Sequence, residues 1–148
     1  MAAATTAASA AKRAVGKLAP QTSAFLLCDT QERFRPLIHH SDTVVQTARF
    51  MTSVAKALGV PIVATQQYTK VFGPTVADCF ADPADLDSTP IFEKKLFSMM
   101  TPEVSEHVGG LGGRTSFVLF GIEAHVCVQQ TALDLLEQGH GVHVVVDG

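Results

Sequence analysis

Short apolar runs alternate along this chain with segments whose apolar residues recur every three or four positions. Runs of this length without polar interruption are typical of strands that are buried on both faces of a parallel sheet. They predict five strands, at residues 24–28, 60–64, 90–93, 116–120 and 142–146. Because helical segments separate the strands, right-handed crossovers are expected to join them into one open parallel sheet. The pattern therefore predicts an α/β fold of three layers, with helices on both faces of the sheet.

The predicted helices carry recognisable end signals. Thr43 opens a capping-box pattern, and Gly59 stands where a helix is expected to end in a left-handed residue. A second helix is predicted over residues 125–138, and a short one begins near Pro102. Residues 66–88 read as a long irregular loop, a kind of segment that often shapes a site. The expected apolar face of the first helix consists of Val44, Ala48, Met51, Ala55 and Leu58.

Composition narrows the class of protein. The 148 residues are 47% apolar and 17% charged, which excludes general disorder. A net charge of −3 and the absence of Trp predict no nucleic-acid partner, and the lack of a long apolar run predicts no membrane partner. The three cysteines are odd in number and form no Cys-x-x-Cys pair. They favour a reducing compartment, so a cytoplasmic protein is predicted.

The sequence at each end of the chain predicts how the domain is bounded. Residues 1–20 are rich in Ala, Thr and Ser and contain basic but no acidic residues. This composition predicts either a flexible leader or a mitochondrial transit peptide, followed by one domain at 21–148. At the other end, residues 142–146 have the pattern of an interior strand, which needs a neighbour on each side. We therefore expect a fold that is C-terminally incomplete and lacks one or two βα units.

Side chains suited to catalysis follow the ends of three predicted strands. Asp29 follows the first strand, Lys94 and Lys95 follow the third, and Cys127 comes shortly after the fourth. The carboxyl ends of parallel strands share one edge of the sheet, so these groups are expected to converge. A thiol at a helix start beside an ammonium has a lowered pKa, and a carboxylate can move its proton. Taken singly, the same residues could equally be a helix-capping Asp, a solvated Lys and a buried Cys.

Four stretches resemble those of the isochorismatase-like cysteine hydrolase superfamily, and most of all its isochorismatase domain-containing proteins. They occur in the expected order from about Ser23 to the last residue. The resemblance implies a Rossmann-like open sheet of the isochorismatase-like hydrolase fold. The stretches are 28–34 (CDTQERF), 67–68 with 73–76 (QY, GPTV), 94–99 (KKLFSM) and 121–128 (GIEAHVCV).

The resemblance implies a cysteine hydrolase that acts on a small amide or related acyl substrate through a catalytic triad of Asp29, Lys94 and Cys127. Lys94 is chosen over Lys95 because the family lysine lies three residues before the Phe of a Lys-x-x-Phe-Ser motif. Both Cys127→Ser and Asp29→Asn are nearly isosteric, so each is expected to abolish turnover while leaving the fold intact.

The same resemblance implies a cis peptide between Ile122 and Glu123 and an oxyanion site formed by backbone N–H groups near Ala124 and Cys127. Substrate-binding positions are expected at four further residues. The candidates are Phe34, Tyr68, Phe97 and, as a pocket or helix-start residue, His125. Of the other two cysteines, Cys28 is interpreted as core and Cys79 as incidental.

A metal site is not expected. Nicotinamidases of the superfamily bind a metal through an Asp-x-His pair and a further His, whereas residues 65–68 read TQQY. We therefore predict no metal and no cofactor, and nicotinamide loses support as a substrate. Members that hydrolyse isochorismate lack the nucleophilic Cys, so isochorismate loses support as well. The predicted partners are a small-molecule substrate and further copies of the chain in a homo-oligomer. The rival hypothesis is a catalytically silent isochorismatase-domain protein that acts through protein–protein interaction.

Overall fold

Five parallel strands form one sheet in the computed structural model, which describes residues 16–148. The strands lie in the order β3-β2-β1-β4-β5, and every neighbouring pair is parallel. The predicted α/β class is thereby confirmed, while most of the predicted leader at 1–20 lies outside the described residues. The strands are β1 (Ser23–Cys28), β2 (Ile62–Gln67), β3 (Ile91–Lys94), β4 (Ser116–Gly121) and β5 (Gly141–Val144).

Helices connect the strands. α1 ends at Gly59, whose φ of 64° is the left-handed conformation predicted for it. A π-helical segment, Ala124–Val128, leads directly into α5 and replaces the first turn of the helix predicted there. Among residues 16–148, no helix combines the length and the apolar character needed to cross a bilayer. The helices are α1 (Ser41–Leu58), α2 (Thr69–Phe72), α3 (Pro83–Ser88), α4 (Pro102–Gly109) and α5 (Gln129–Glu137), with 3₁₀ turns at Glu32–Phe34 and Ala77–Cys79.

Each face of the sheet has its own apolar core. Successive residues of a strand point to opposite faces, so β1 contributes Leu26 and Cys28 to one core and Phe25 and Leu27 to the other. The first core also contains buried residues of α4 and α5, and the second contains those of α1. Helices therefore cover both faces, which is the predicted three-layer arrangement.

α1 begins earlier than the capping-box pattern predicts. The residue before it, His40, is left-handed with φ of 54° and makes no side-chain capping bond, so Thr43 lies inside the first turn. Leu58, predicted to be buried, is 53% exposed. Thr52 is buried instead, because its hydroxyl donates to the Cys79 carbonyl at 2.7 Å, a contact that apolar periodicity does not reveal. The buried residues of α1 are Val45, Ala48, Thr52 and Ala55.

Polar residues extend two strands beyond their predicted ends. β2 runs to Gln67 and β3 includes Lys94, and these two residues are paired in register. Their polar side chains suggested loops, yet their backbone groups continue the parallel ladder. Residues 66–88 are not one irregular loop either, because they contain α2, a 3₁₀ turn and α3. β5 ends at Val144, and among the described residues it pairs with β4 alone.

The strand order reverses between β1 and β4. From β1 the chain builds one half of the sheet through β2 and β3, and β4 and β5 lie on the other side. Loops leaving the carboxyl ends of two such strands diverge and open a crevice between them. Asp29 directly follows β1, and Ile122 directly follows β4. The candidate site lies at this crevice.

Candidate active site

A buried ion pair lies at the base of the crevice. The Lys94 Nζ atom is 2.6 Å from Asp29 Oδ2, and the two side chains are 0% and 2% exposed. Oδ1 of Asp29 accepts a hydrogen bond from the Thr65 hydroxyl at 2.8 Å. Oδ2 accepts no aligned hydrogen bond from the described residues. Asp29 is therefore held in place while one of its oxygens keeps a lone pair that can accept a proton.

Of the two adjacent lysines, Lys94 is the one whose ammonium reaches the site. It donates to the carbonyl oxygens of Leu96 at 3.1 Å and Phe97 at 2.9 Å, and it lies 3.6 Å from Cys127 Sγ. The Lys95 ammonium points elsewhere and lies 5.9 Å from the centre of the Tyr68 ring. The structure therefore brings Asp29, Lys94 and Cys127 together and leaves Lys95 outside.

Cys127 is supported from behind by the helix that follows it. Its carbonyl accepts a hydrogen bond from the Thr131 hydroxyl at 2.6 Å, and the same hydroxyl accepts the Met99 N–H at 2.8 Å. These two bonds tie the π-helical segment to α5 and to the chain after β3. Cys127 itself is 7% exposed, and the exposed part faces a cavity.

A second thiol lies beside Cys127, a neighbour that the sequence did not reveal. Cys28 is fully buried, and its Sγ, the Cys127 Sγ and an Asp29 oxygen all lie within 4.8 Å of one another. A hydrogen bond from Cys28 is the main cause that lowers the pKa of Cys127 below the usual thiol value. The positive charge of Lys94 lowers this pKa further, while burial and the Asp29 charge oppose both effects. Burial raises the pKa of Cys28 well above the usual value, so Cys28 keeps its proton.

Two glutamines complete the environment of the ammonium. Gln67 Oε1 accepts from Lys94 Nζ at 2.7 Å. Gln31 holds the Gln67 backbone from both sides, since its Oε1 accepts the Gln67 N–H at 2.7 Å and its Nε2 donates to the Gln67 carbonyl at 3.0 Å. Both glutamines stand in stretches that carry the family resemblance, but no role was predicted for either. Their roles could not be predicted from the sequence, because it does not show that Gln67 pairs with Lys94 across β2 and β3 or that Gln31 contacts the Gln67 backbone.

A cavity of about 550 Å³ opens above these groups. Phe34, Tyr68 and Phe97 line it as expected, and the Phe34 ring stacks on Phe72 with 4.5 Å between centroids. The charged residues that line it are Asp29 and Glu123, and the Glu123 carboxylate also lies 3.7 Å from the exposed His125 imidazole. Its complete lining is Asp29, Phe34, Gln67, Tyr68, Val71, Phe72, Phe97, Ile122, Glu123, Val126 and Cys127. The walls are thus mainly apolar, and the reactive groups lie at one end.

Two candidates do not reach this cavity. The His125 side chain is 76% exposed, and its Nε2 lies 3.7 Å from a carboxylate oxygen of Glu123. Ala124 is also exposed and is absent from the lining. Of the two positions expected for His125, in the pocket or at a helix start, the structure shows the second: His125 lies at the start of the π-helical segment with its side chain toward solvent, while Val126 and Cys127 line the cavity.

The backbone before the nucleophile restricts which N–H groups are available. The Ile122–Glu123 peptide is cis. The Ile122 N–H donates to the Cys28 carbonyl at 2.9 Å, and the N–H groups of Val126 and Val128 both donate to the Glu123 carbonyl. Ile122 therefore does not supply an oxyanion donor, although it lines the cavity.

The spacing of Cys28, Asp29 and Cys127 would suit three ligands of one metal ion. The Lys94 ammonium, however, already lies 2.6 Å from Asp29 and 3.6 Å from the Cys127 sulfur. It supplies a positive charge where a cation would have to sit, and like charges at this distance repel. The donor set therefore fits an ammonium better than a metal.

Replacement of Lys94 by Met is expected to raise the pKa of Cys127, because it removes the cation beside the sulfur and keeps much of the side-chain volume. The pH dependence of alkylation by iodoacetamide measures this change, and its midpoint is expected to move to higher pH. Lys95→Met is the matched control and is expected to leave the midpoint unchanged. A shift in the Lys95 variant alone would show that the lysine has been misassigned.

Comparison with known proteins identifies the same family from a family model and from individual relatives. Residues 23–148 match the model of the isochorismatase domain. The chain is 44% identical over 140 residues to a secreted isochorismatase effector, Isc1, of Phytophthora sojae, covering 94% of this chain and 67% of that protein. It is 43% identical over 133 residues to isochorismatase domain-containing protein 1 of Danio rerio, covering 90% of this chain. The chain spans only 46% of the length of that second relative.

Solved structures share the fold. A structure described as MAR1 ribonuclease from Caenorhabditis elegans superposes with a TM-score of 0.80 at 39% identity, covering 89% of this chain and 66% of that one. The YcaC product of Escherichia coli, described as an octameric hydrolase of unknown specificity, has a TM-score of 0.78 at 24% identity, with 88% and 64% covered. The second likeness concerns the fold alone.

Proposed function

Because the chain belongs to the isochorismatase family, a family of hydrolase-like domains, we propose that it is a cysteine hydrolase acting on a small amide or related acyl substrate. The observation that carries this proposal is the position of Cys127. Its sulfur lies 3.6 Å from the Lys94 ammonium, beside the Asp29 carboxylate, at the end of an apolar cavity. A nucleophile, a proton acceptor and a fixed positive charge are the groups that such a hydrolysis requires.

In the proposed mechanism, Asp29 accepts the proton of Cys127 and the sulfur attacks the substrate carbonyl carbon. The S–C bond forms, and the carbonyl oxygen becomes an oxyanion. When the C–N or C–O bond breaks, Asp29 returns the proton to the leaving group and a thioester remains on Cys127. Asp29 then takes a proton from water, whose oxygen attacks the thioester carbon. The C–S bond breaks, the carboxylic acid leaves, and Asp29 returns the proton to the Cys127 sulfur.

Lys94 acts as a fixed charge in this scheme. Its ammonium stabilises the thiolate and holds the Asp29 carboxylate in position between proton transfers. For the oxyanion we propose the backbone N–H group of Cys127, which lines the cavity, because those of Ile122, Val126 and Val128 already donate to protein carbonyls and Ala124 lies outside the lining. No step in this scheme uses a metal or a cofactor.

The cavity favours an uncharged apolar acyl group. Its aromatic and aliphatic walls supply apolar contacts, and the positive charge of Lys94 is already balanced by Asp29. A substrate carboxylate placed there would lie near Glu123 without a free cation among the described lining residues. Like charges brought together in such a site cost several kcal/mol.

The experiment is a panel of small amides and esters, run on the wild-type protein and on Cys127→Ala. Hydrolysis that is lost in Cys127→Ala and persists in the presence of a chelator supports the proposal. Activity that a chelator removes and zinc restores would contradict the metal-independent mechanism. If no substrate turns over and Cys127 is also not alkylated near neutral pH, the catalytically silent alternative, acting through protein–protein contacts, is favoured.

Within this panel, benzamide is expected to be hydrolysed with a kcat/KM at least about tenfold higher than that of its 4-carboxylate. Glu123→Gln is expected to reduce this difference, because it removes the negative charge at the cavity wall. Glu106→Gln, which removes an exposed charge on α4 away from the cavity, is the matched control. Equal rates on both amides, or the same change in both variants, would contradict the proposed selectivity.

Two further properties belong to the proposal. A homo-oligomer is proposed because one protein of the same fold is described as an octamer. A cytoplasmic location is proposed from the unpaired cysteines, with a mitochondrial one as the alternative from the basic N-terminal composition.

A further inference from the structure

Cys28 is a second thiol at the site, and the proposed hydrolysis does not use it. It is the last residue of β1, and its side chain belongs to the same face of the sheet as Cys127. The two sulfur atoms lie within 4.8 Å of each other, and both cysteines are free. Cys79, the third cysteine, is buried in the core on the opposite face. The chain thus places one particular thiol beside the proposed nucleophile.

We propose that Cys127 and Cys28 form a reversible disulfide when a small hydroperoxide enters the cavity, with Cys127 as the oxidised residue and Cys28 as the resolving residue. The modification would cover the nucleophile and protect it from irreversible oxidation. This inference rests on the proposed function only because both use the Cys127 thiolate.

The chemistry takes place in two steps. The Cys127 thiolate attacks the terminal oxygen of the hydroperoxide and the O–O bond breaks. The departing alkoxide, or hydroxide when hydrogen peroxide is used, takes the proton that Asp29 had accepted from Cys127, so the products are a sulfenic acid on Cys127 and an alcohol or water. Cys28 then loses its proton and attacks the Cys127 sulfur. The S–O bond breaks, the hydroxide takes that proton and leaves as water, and the S–S bond forms. A dithiol reductant converts the disulfide back to two thiols.

The surroundings favour this order of events. Cys127 is open to the cavity, whereas Cys28 is fully buried, so the hydroperoxide meets Cys127 first. The two sulfur atoms lie within 4.8 Å of each other, so Cys28 is the thiol beside the oxidised sulfur. A disulfide has an S–S bond of about 2.05 Å, so the sulfurs must still approach. Rotation about the Cα–Cβ bond of Cys127, which borders the cavity, can supply this movement.

The test is a titration of the full chain with hydrogen peroxide, followed by intact mass measurement and peptide mapping without reductant. The wild-type protein is expected to lose two hydrogens in mass and to yield one cross-linked peptide pair containing Cys28 and Cys127. Alkylation of Cys127 is expected to be lost and to return fully with dithiothreitol.

In Cys28→Ala the sulfenic acid on Cys127 has no resolving thiol, so dimedone is expected to capture it. Without dimedone, further peroxide is expected to oxidise it to the sulfinic acid, which dithiothreitol does not reverse. Cys28→Ser serves the same purpose if the alanine variant does not fold. Cys79→Ala is the matched control and is expected to behave as wild type, because burial raises the pKa of Cys79 to about 12 and it lies on the other face.

Irreversible oxidation of the wild-type protein at the same rate as in Cys28→Ala would overturn the proposal. So would a cross-link that includes Cys79 or joins two chains in place of the Cys28–Cys127 pair. The mass measurement needs no substrate, so the disulfide can fail while amide hydrolysis is found, or form while no hydrolysis is found. The two proposals are therefore tested separately.

Discussion

Asp29→Asn is expected to lower kcat/KM by about 10²–10⁴-fold and the free energy of unfolding by about 3–5 kcal/mol. Activity falls because the amide cannot accept the proton of Cys127. Stability falls because the Lys94 ammonium, whose side chain is fully buried, loses the carboxylate 2.6 Å away. Kinetics on a substrate from the panel and urea denaturation measure the two effects. The structure thus corrects the expectation that this variant keeps the fold intact, since Asp29 is buried with a charged partner and does not lie at an open edge.

A double variant separates the two consequences. Asp29→Asn combined with Lys94→Met removes both charges, so most of the lost stability is expected to return while activity stays absent. Full stability in the single variant would show that the buried pair contributes little. Near-normal turnover in the single variant would show that another group acts as the base.

Gly121→Ala is expected to destabilise the fold by about 3 kcal/mol or more. Gly121 ends β4 with φ of 110°, a conformation that disfavours any side chain. A Cβ atom there would lie 2.9 Å from the Cys28 N atom and would overlap the Cys28 carbonyl oxygen. That oxygen accepts the Ile122 N–H at 2.9 Å, so the turn leading to Cys127 would be displaced as well. Urea denaturation measures the loss of stability, and iodoacetamide alkylation reports the displaced thiol.

Gly112→Ala is the matched control for this substitution. Gly112 also has a positive φ, of 74°, but a Cβ atom at this position would meet no described atom within 4 Å. The change should therefore cost only the conformational strain, about 1–2 kcal/mol, and leave Cys127 alkylation unchanged. Equal losses of stability in both variants would show that the close approach to Cys28 adds nothing.

Much of the fold follows from local patterns in the sequence. The five strands and their order with the helices were predictable, because a short run buried on both faces must be apolar throughout. Asp29 and Cys127 were placed near each other for a general reason, since parallel strands end at one edge and the strand order reverses between β1 and β4. The choice of Lys94 needed more than that, because two adjacent lysines follow the same strand and only a motif distinguished them.

The rest depended on contacts between residues far apart in the chain. Cys28 reads as an ordinary core residue at the end of an apolar run, and only the packing of β1 against the π-helical segment places its thiol beside Cys127. His125 reads as a pocket or a helix-start residue two positions from the nucleophile, and only the turn of that segment decides that its side chain is exposed. The sequence by itself therefore determined the order of the elements and the edge at which the reactive groups gather. Only the tertiary structure decided which side chains meet there and how their charges are balanced, because these depend on the register and rotation of elements that no local pattern encodes.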